Sequence, residues 1–143
     1  ALVGGAIGDL RQIAGGVRPA RLDGGLAAAL HDLARSAPVP VEVEVPEGRV
    51  AASVEAAAYF FACEALTNAV KHASPSKVAV RAVRENGTFF VSVADDGVGG
   101  ALVRRGSGLA GLRDRVAAHG GTFELVSPRG GGTRVEVGIP CES

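Results

Sequence analysis

At 143 residues the chain has the length of one domain with a real hydrophobic core, and its 47% hydrophobic content argues against disorder. The formal net charge is zero, which argues against a dedicated nucleic-acid binder, and no apolar stretch is long enough to span a membrane. The sequence contains no Met, so we expect a fragment of a longer protein that leaves room for an upstream membrane anchor. Cys63 and Cys141 have neither metal-site nor redox spacing, and a cytoplasmic setting fits both.

The N-terminal third predicts short elements separated by breaks. Residues 1–14 have the loose helical periodicity of the end of a longer helix, and residues 15–23 have the composition of a linker. A short amphipathic helix follows over residues 24–36 and ends before Pro38. Apolar and acidic residues then alternate over residues 41–45, which predicts a half-buried strand.

The longest predicted element is a helix over residues 51–72, which contains neither Gly nor Pro and should be buried on most sides. Near its end, spacings of four, seven and eight residues place four polar side chains on one helical face: Glu64, Asn68, Lys71 and His72. A metal-bound phosphate would offset their desolvation, because a carboxylate can act as a base, an Asn carbonyl can bind Mg²⁺ and a lysine can contact phosphate. The alternative is that the helix reaches solvent there.

The second half of the sequence predicts two strand pairs around a helix. The predicted strands cover residues 77–83, 88–94, 122–126 and 133–139, with a glycine-rich loop over 95–106 and a helix over 107–119. Antiparallel hairpins with helices between them predict an α+β fold, in which one mixed, mainly antiparallel sheet carries helices on one face.

Three glycine-containing segments border these elements. Asp95 ends a strand and is followed by Gly97 and Gly99, so a flat ligand can approach the backbone while the carboxylate accepts a hydrogen bond from an exocyclic amine such as that of adenine. Amides around Gly108 open a helix and form an anion site. Thr133 begins the last strand, where its hydroxyl can reach a base through water. Each segment alone also fits an ordinary turn or helix start.

In order along the chain, these motifs resemble the N, G1, G2 and G3 boxes of the GHKL ATPases. The matching residues are Glu64, Asn68, Lys71 and His72, then Asp95, Gly97 and Gly99, then Gly106, Gly108 and Leu109, then Gly130, Gly132 and Thr133. Within that superfamily the chain resembles the catalytic domain of a two-component sensor histidine kinase of the NarL/DesK-like subgroup. The similarity rests on a very short segment between Gly100 and Gly106, on the run of residues 108–125, which resembles the region of that subgroup's helix after this segment, and on the linker-like residues 17–30.

The resemblance implies the Bergerat fold, a two-layer α/β sandwich, and a division of the chain. Residues 1–20 would be the end of a dimerisation helix and a linker, and residues 21–143 would be the ATP-binding catalytic domain. ATP and Mg²⁺ would be the cofactors.

The resemblance also implies a role for each matching residue. Asn68 would coordinate Mg²⁺ and Glu64 would be the polar or general-base residue. The ATP contacts would be Lys71 and His72 near the phosphates, Asp95 on the adenine amine, Gly97 and Gly99 around the base, Gly106, Gly108 and Leu109 at the phosphates, and Thr133 beside Asp95.

The implied reaction transfers the γ-phosphoryl group of ATP to a histidine on a dimerisation domain that this chain lacks, and a response regulator would be a further partner. The pair His31-Asp32 resembles a phospho-acceptor motif, but it follows the linker and Pro38 cuts its helix short, so we reject it. We expect a homodimeric full-length protein and a monomeric fragment. The alternatives are an anti-sigma-factor-like protein-serine kinase and a non-catalytic nucleotide-binding regulatory module.

Overall fold

In a computed structural model, the described residues, 20–103 and 107–141, form a five-stranded sheet with three α-helices on one face. The helices are α1 (Leu26–Arg35), α2 (Ala52–Asn68) and α3 (Gly108–Ala118). The strands are β1 (Val41–Glu44), β2 (Val78–Glu85), β3 (Thr88–Asp95), β4 (Thr122–Val126) and β5 (Thr133–Pro140). The helix predicted over residues 1–14, most of the predicted linker and Gly106 lie outside the described residues.

The sheet has the strand order β1-β2-β3-β5-β4. β1 pairs with β2 in parallel, and the other three neighbouring pairs are antiparallel, so the predicted mixed, mainly antiparallel sheet is confirmed. Asn86 and Gly87 form the two-residue turn between β2 and β3, and both have the positive φ that such a tight hairpin requires.

The two faces of the sheet differ because side chains alternate along each strand. Val80, Val93 and Val135 are aligned across β2, β3 and β5, and all three are buried beneath the helices. The opposite face carries charged pairs, including Arg81 with Glu44. The predicted placement of the helices on one face is therefore confirmed.

Helix α2 is the centre of the core. It contacts α1, α3, β3 and β5, and its buried residues point in all directions, with Tyr59 and Phe61 almost completely enclosed. Cys63 is buried there as well. This burial on all sides explains why the segment contains so few polar residues. No helix among the described residues has both the length and the apolar character needed to cross a membrane.

The chain does not end its helical path at Asn68 but continues as a π-helical turn over Ala69–Ala73. The sequence predicted a single α-helix that ends at His72. The predicted helical segment has about the right length, but its last turn is a π turn and not an α turn. A π turn bonds residues five apart and is often found at functional sites. It ends at Ser74, which has a positive φ of 48°.

The part of the predicted linker that the structure describes is packed against the domain. Ala20–Gly24 forms a 3₁₀ helix, and Leu22 within it is fully buried. Arg49 donates to both carboxylate oxygens of the buried Glu55, at 3.0 and 3.1 Å, and also to the carbonyl of Leu22 at 3.3 Å. We call Leu22, Arg49 and Glu55 the N-terminal latch.

Candidate functional site

A cavity of about 440 Å³ lies between α2, the N-terminus of α3 and the ends of β3 and β5. Seven of the residues predicted from sequence line it: Asn68, His72, Asp95, Gly99, Gly108, Leu109 and Thr133. They come from four separate segments of the chain, so the fold brings the predicted boxes together. Gly106 lies outside the part of the chain that the structure describes.

The α2 wall of the cavity is made of small residues with two polar ones between them. Ala65 and Ala69 line it together with Asn68 and His72. Sequence analysis missed the alanines, although their four-residue spacing was a usable signal of a helical stripe. Because alanine side chains are short, a planar group can approach the helix closely.

Glu64 and Lys71 do not line this cavity. They belong to a neighbouring stripe of the helix, since each residue of an α-helix advances by about 100°. Burial raises the pKa of Glu64, while Lys71 and Arg115 of α3 act in the opposite direction. Of the four polar residues predicted to share one helical face, Asn68 and His72 line the cavity and Glu64 and Lys71 lie beside that lining, so the roles of Glu64 and Lys71 stay predictions.

Asn68 is the polar group with an unmet hydrogen bond in this cavity. Its Nδ2 atom is buried and has no hydrogen-bond partner. A side-chain carbon added at Gly108 would lie 3.4 Å from both polar atoms of the Asn68 amide, so glycine there lets α3 begin against this side chain. The unpaired Nδ2 is a donor and suits an acceptor on a ligand, such as a phosphate oxygen, while the carbonyl oxygen of the same amide is a ligand type that Mg²⁺ accepts beside phosphate oxygens and water.

Asp95 lines the cavity where β3 ends. Its Oδ1 accepts a hydrogen bond from the amide of Gly97 at 2.7 Å, and the amide of Thr133 also donates to its carboxylate. Burial nevertheless raises the pKa of Asp95, because the two amides only partly replace water. The carboxylate is thus held in place by the backbone and retains lone pairs for a donor on a ligand.

The neighbouring Asp96 has a different surrounding. Its carboxylate accepts hydrogen bonds from the amides of Ser76 and Lys77, at 2.8 and 3.1 Å, and from the Ser76 hydroxyl. These bonds lower the pKa of Asp96, which is exposed. Asp96 thus fixes the loop before β2, and Asp95 alone of the two faces the cavity.

Two glycine-rich loops approach each other beside Asp95 at distances that exclude a side chain. A carbon added at Gly97 would lie 2.1 Å from the carbonyl oxygen of Ala73, and one at Gly99 would lie 1.9 Å from that of Pro128. One added at Gly132 would lie 2.2 Å from the Asp95 carbonyl oxygen. These glycines are required by backbone contact rather than by turn geometry alone.

The N-terminus of α3 closes the other end of the cavity. The Ser107 side chain caps the helix by accepting from the Ala110 amide at 3.1 Å, and Ser107 and Gly108 both line the cavity. A helix start carries free amides and a partial positive charge, which favour an anion. Leu102 lies at the rim with 63% of its surface exposed.

Sequence analysis missed Ser127, which follows β4 and joins the two loops. Its Oγ accepts from the Ala101 amide at 2.8 Å and lies 2.6 Å from the Thr133 Oγ1 atom. A serine between a strand and a glycine-rich turn carries no distinguishing signal, because serine is common in such positions.

A larger groove of about 750 Å³ lies on the charged face of the sheet, lined in part by Arg81, Phe90 and Arg134. It contains none of the residues predicted for the ATP site. The smaller cavity, with its unpaired amide and its backbone-held carboxylate, is therefore the candidate site.

Residues 53–143 match the sequence profile of a family described as histidine kinase-, DNA gyrase B- and HSP90-like ATPases. The chain belongs to this ATPase family. The match covers more than half of the sequence and includes all four predicted boxes. The predicted GHKL superfamily is thereby confirmed, whereas the NarL/DesK-like subgroup stays a prediction.

Two curated relatives of this ATPase domain are sensor kinases. The sensor histidine kinase LiaS of Bacillus subtilis is 29% identical over an alignment 147 positions long, gaps included, which covers 97% of this chain and 41% of LiaS. The sensor protein VraS of Staphylococcus aureus is 27% identical over 128 residues, which cover 87% of this chain and 37% of VraS. The chain therefore spans about two-fifths of the length of these relatives.

Solved structures show the same fold. The histidine kinase domain of the blue-light activated histidine kinase EL346 from Erythrobacter litoralis superposes with a TM-score of 0.67 at 25% identity, over 81% of this chain and 61% of that one. The ATP binding domain of PrrB from Mycobacterium tuberculosis gives a TM-score of 0.57 at 27% identity, over 82% of this chain and 92% of that one. The Bergerat fold predicted from the sequence is confirmed.

Proposed function

We propose that this chain is the ATP-binding catalytic domain of a sensor histidine kinase, which transfers the γ-phosphoryl group of ATP to a histidine on a dimerisation domain outside this chain. The observation that carries the proposal is the candidate cavity, which is lined both by Asn68, with its buried and unpaired Nδ2, and by Asp95, with its backbone-held carboxylate. A nucleotide presents a metal-bound phosphate at one end and an amine-bearing base at the other.

Each end of the cavity has a role in this proposal. The Asp95 carboxylate accepts from the exocyclic amine of adenine, with Gly99 lining the cavity beside it and the Gly97 amide holding the carboxylate in place. The amides at the start of α3 contact the phosphates, and the Asn68 carbonyl oxygen holds Mg²⁺. Bound Mg²⁺ neutralises charge on the phosphates, which is the chemistry that phosphoryl transfer needs.

The residues outside the cavity fit a different part of the reaction. Glu64 lies between Lys71 and Arg115, and its pKa is raised by burial. A carboxylate in such a position is suited to accept a proton from an incoming acceptor side chain, and Lys71 is suited to contact the phosphates. These two roles rest on the family pattern and not on cavity geometry.

The acceptor histidine and the response regulator belong to the proposed whole protein. The sensor-kinase relatives are more than twice as long as this chain, which leaves room for dimerisation helices. Their names favour a histidine kinase over an anti-sigma-factor-like serine kinase. We propose a homodimeric full-length protein with a cytoplasmic catalytic domain.

Calorimetric titration with ATP tests the binding site. We expect the wild-type chain to bind ATP, Asp95→Ala to weaken binding about 100-fold, and Asn68→Ala to remove the effect of Mg²⁺ on affinity. Absence of binding by the wild-type chain at millimolar nucleotide would overturn the proposal. Ser36→Ala, which removes a hydroxyl from the far end of α1, is the matched control and should bind as the wild type does.

Phosphoryl transfer is tested by complementation in trans. The isolated chain should give no acid-labile phosphate with ATP, including none on His31, which is exposed on α1. The full-length protein with Asn68→Ala lacks a working ATP site of its own but contains the dimerisation domain. When it is mixed with this chain and ATP, labelling should be restored and should appear on the full-length protein. Labelling of a serine instead of a histidine would favour the serine-kinase alternative.

A further inference from the structure

Ser127 connects the two loops that border the candidate cavity. Its backbone carbonyl accepts from the Gly100 amide at 2.9 Å, and its Oγ accepts from the Ala101 amide at 2.8 Å. Backbone and side chain of one residue therefore hold two consecutive residues of the loop that leads from the base end of the cavity towards α3. A shift of this loop would therefore change the hydrogen bonding of the Ser127 hydroxyl.

The same hydroxyl contacts the base end of the cavity. Ser127 Oγ and Thr133 Oγ1 are 2.6 Å apart, a short hydrogen bond in which either oxygen can be the donor. Thr133 is paired with Asp95 in the register of β3 and β5, so both side chains project to the cavity side of the sheet. The Thr133 amide donates to the Asp95 carboxylate, which links Ser127 to Asp95 through one intervening residue.

The contacts of Ser127 restrict how the two hydroxyl protons are arranged. A hydroxyl has one proton to donate and two lone pairs to accept. Ser127 Oγ already accepts from the Ala101 amide, and Thr133 Oγ1 is the other partner recorded for it in the described part of the chain. If Ser127 accepted from Thr133 with its second lone pair, its own proton would have no acceptor recorded in the described part of the chain; donation from Ser127 to Thr133 uses that proton and leaves the proton of Thr133 available to the cavity.

We propose that Ser127 is a positioning residue that determines base specificity, because it fixes the Thr133 hydroxyl as a hydrogen-bond donor beside the Asp95 acceptor. This inference rests on the proposed function, since it assigns a role within the nucleotide site. The cavity then presents one acceptor and one donor side by side. The ligand that matches is a purine with an amine donor next to a ring-nitrogen acceptor.

This pattern distinguishes adenine from guanine. Adenine carries its amine next to an unprotonated ring nitrogen, whereas guanine carries a carbonyl next to a ring N–H, which reverses both groups. If Ser127 did not fix the Thr133 proton, Thr133 could rotate and accept instead of donate, and the guanine edge would lose one of its two mismatches. Loss of a specific polar match reduces discrimination because a buried group is left unpaired.

The test compares the ratio of ATP to GTP affinity in competition titrations. We expect Ser127→Ala to lower this ratio about three- to tenfold, mainly by strengthening GTP binding, while Ser127→Thr, which keeps the hydroxyl, retains the wild-type ratio. Thr133→Val should lower the ratio by a similar factor. The double variant should lose no more than the larger single effect, because Ser127 acts through Thr133.

The outcomes separate this inference from the proposed function. If the wild type prefers ATP and Ser127→Ala weakens ATP and GTP equally, the role of Ser127 is structural only and the inference is overturned. Wild-type protein that binds neither nucleotide would overturn both. Ser127→Cys, which keeps the shape but has a weak donor, replaces Ser127→Ala if that variant does not fold, and it should also lower the ratio. Ser36→Ala controls for removal of a hydrogen-bonded serine hydroxyl elsewhere.

Discussion

Asp95 and Asp96 are adjacent, chemically identical residues whose surroundings move their pKa values in opposite directions. Burial in the cavity raises the pKa of Asp95, and hydrogen bonds from Ser76 and Lys77 lower that of Asp96 at the surface. Composition cannot tell the two apart. The sequence selected Asp95 through its spacing to Gly97 and Gly99, and the structure shows that this spacing reflects close backbone contact at both glycines.

The raised pKa of Asp95 predicts a pH dependence of ATP binding. The carboxylate accepts the adenine amine only when ionised, so ATP affinity should fall as the pH is lowered through this pKa, earlier than for an ordinary aspartate. The contribution of Asp95 to the stability of the ligand-free protein should change in the opposite direction, since protonation relieves the buried charge, whereas Asp96, with its lowered pKa, contributes stability that is lost as the pH falls. Calorimetric affinities between pH 7.5 and pH 5, set against the difference in folding midpoint between the wild type and Asp95→Asn over the same range, check both signs.

Asp95→Asn is the control for this measurement. It should bind ATP about 10- to 100-fold more weakly at neutral pH, because a neutral amide replaces a charged acceptor. Since the triphosphate also titrates, the informative quantity is the ratio of wild-type to variant affinity. That ratio should shrink as the pH falls, and a constant ratio would exclude Asp95 as the titrating group.

Gly97 and Gly111 offer a second prediction at the residue scale. Gly97→Ala should lower the free energy of unfolding by about 2–4 kcal/mol, because the added carbon would overlap the Ala73 carbonyl. Gly111→Ala should raise it by about 0.5–1 kcal/mol, since Gly111 lies within α3 with open space around it. Urea unfolding of the two variants measures both, and effects of the same sign would contradict the prediction.

At the scale of elements, the sequence was informative wherever the periodicity was regular. The strands and helices predicted from 24 onwards all exist with ends shifted by at most two residues, except that the α-helical part of the helix predicted over 51–72 already ends at Asn68. The π-helical turn over Ala69–Ala73 was not predicted, because its residues have the same composition as the α-helix before it. What differs is a backbone hydrogen-bond pattern, and that pattern is stabilised by the loop carrying Val98, whose amide donates to the Ala73 carbonyl.

The N-terminal latch shows why the linker prediction was incomplete. Gly- and Pro-containing sequence predicts a break, but it does not reveal that Leu22 is buried and that its carbonyl accepts from Arg49, which lies 27 residues later in the chain. The pairing of Arg49 with Glu55 joins segments that are separate in sequence, and only the folded chain places them together. Local patterns therefore predict elements better than they predict how connections pack.

The latch leads to a stability prediction. Arg49→Met should lower the melting temperature by about 10 °C, because the buried Glu55 carboxylate loses its charged partner. Arg35→Met is the matched control, since Arg35 pairs with Asp32 at the surface, and it should change the melting temperature by about 1 °C or less. Thermal unfolding followed by circular dichroism compares the two, and similar shifts would show that the latch adds no stability.

At the scale of the whole molecule, the class of the fold and the location of the site were predictable, whereas the strand order was not. Regular hairpins and the order of four boxes along the chain indicated an ATPase fold, and the cavity contains seven of the predicted residues. The parallel pairing of β1 with β2 and the position of β5 between β3 and β4 depend on long-range packing. Glu64 and Lys71 were predicted to lie beside Asn68 and His72, but they do not line the cavity. Which residues of α2 line it depends on the rotation of the helix about its axis, and long-range packing determines that rotation as well.

Because the cavity joins four segments, ATP should stabilise the whole domain and not only the loops around it. At a free ATP concentration 100 times the dissociation constant, we expect the free energy of unfolding to rise by about 2.7 kcal/mol. Urea unfolding with and without ATP measures this gain. Asp95→Ala should show almost none at the same concentration, and an equal gain in that variant would place the binding elsewhere.

The π-helical turn has a consequence for insertions and deletions. A π turn holds one residue more than the α-helical turn it replaces, so removal of one residue from Ala69–Ala73 can be absorbed by continuing α2 as a regular helix. The fold would then survive with its core intact, while the residues after the deletion would rotate relative to Asn68 and the Ala73 contact with the glycine loop would be lost. The number of residues in Ala69–Ala73 therefore determines the geometry of the site, whereas the fold does not depend on it.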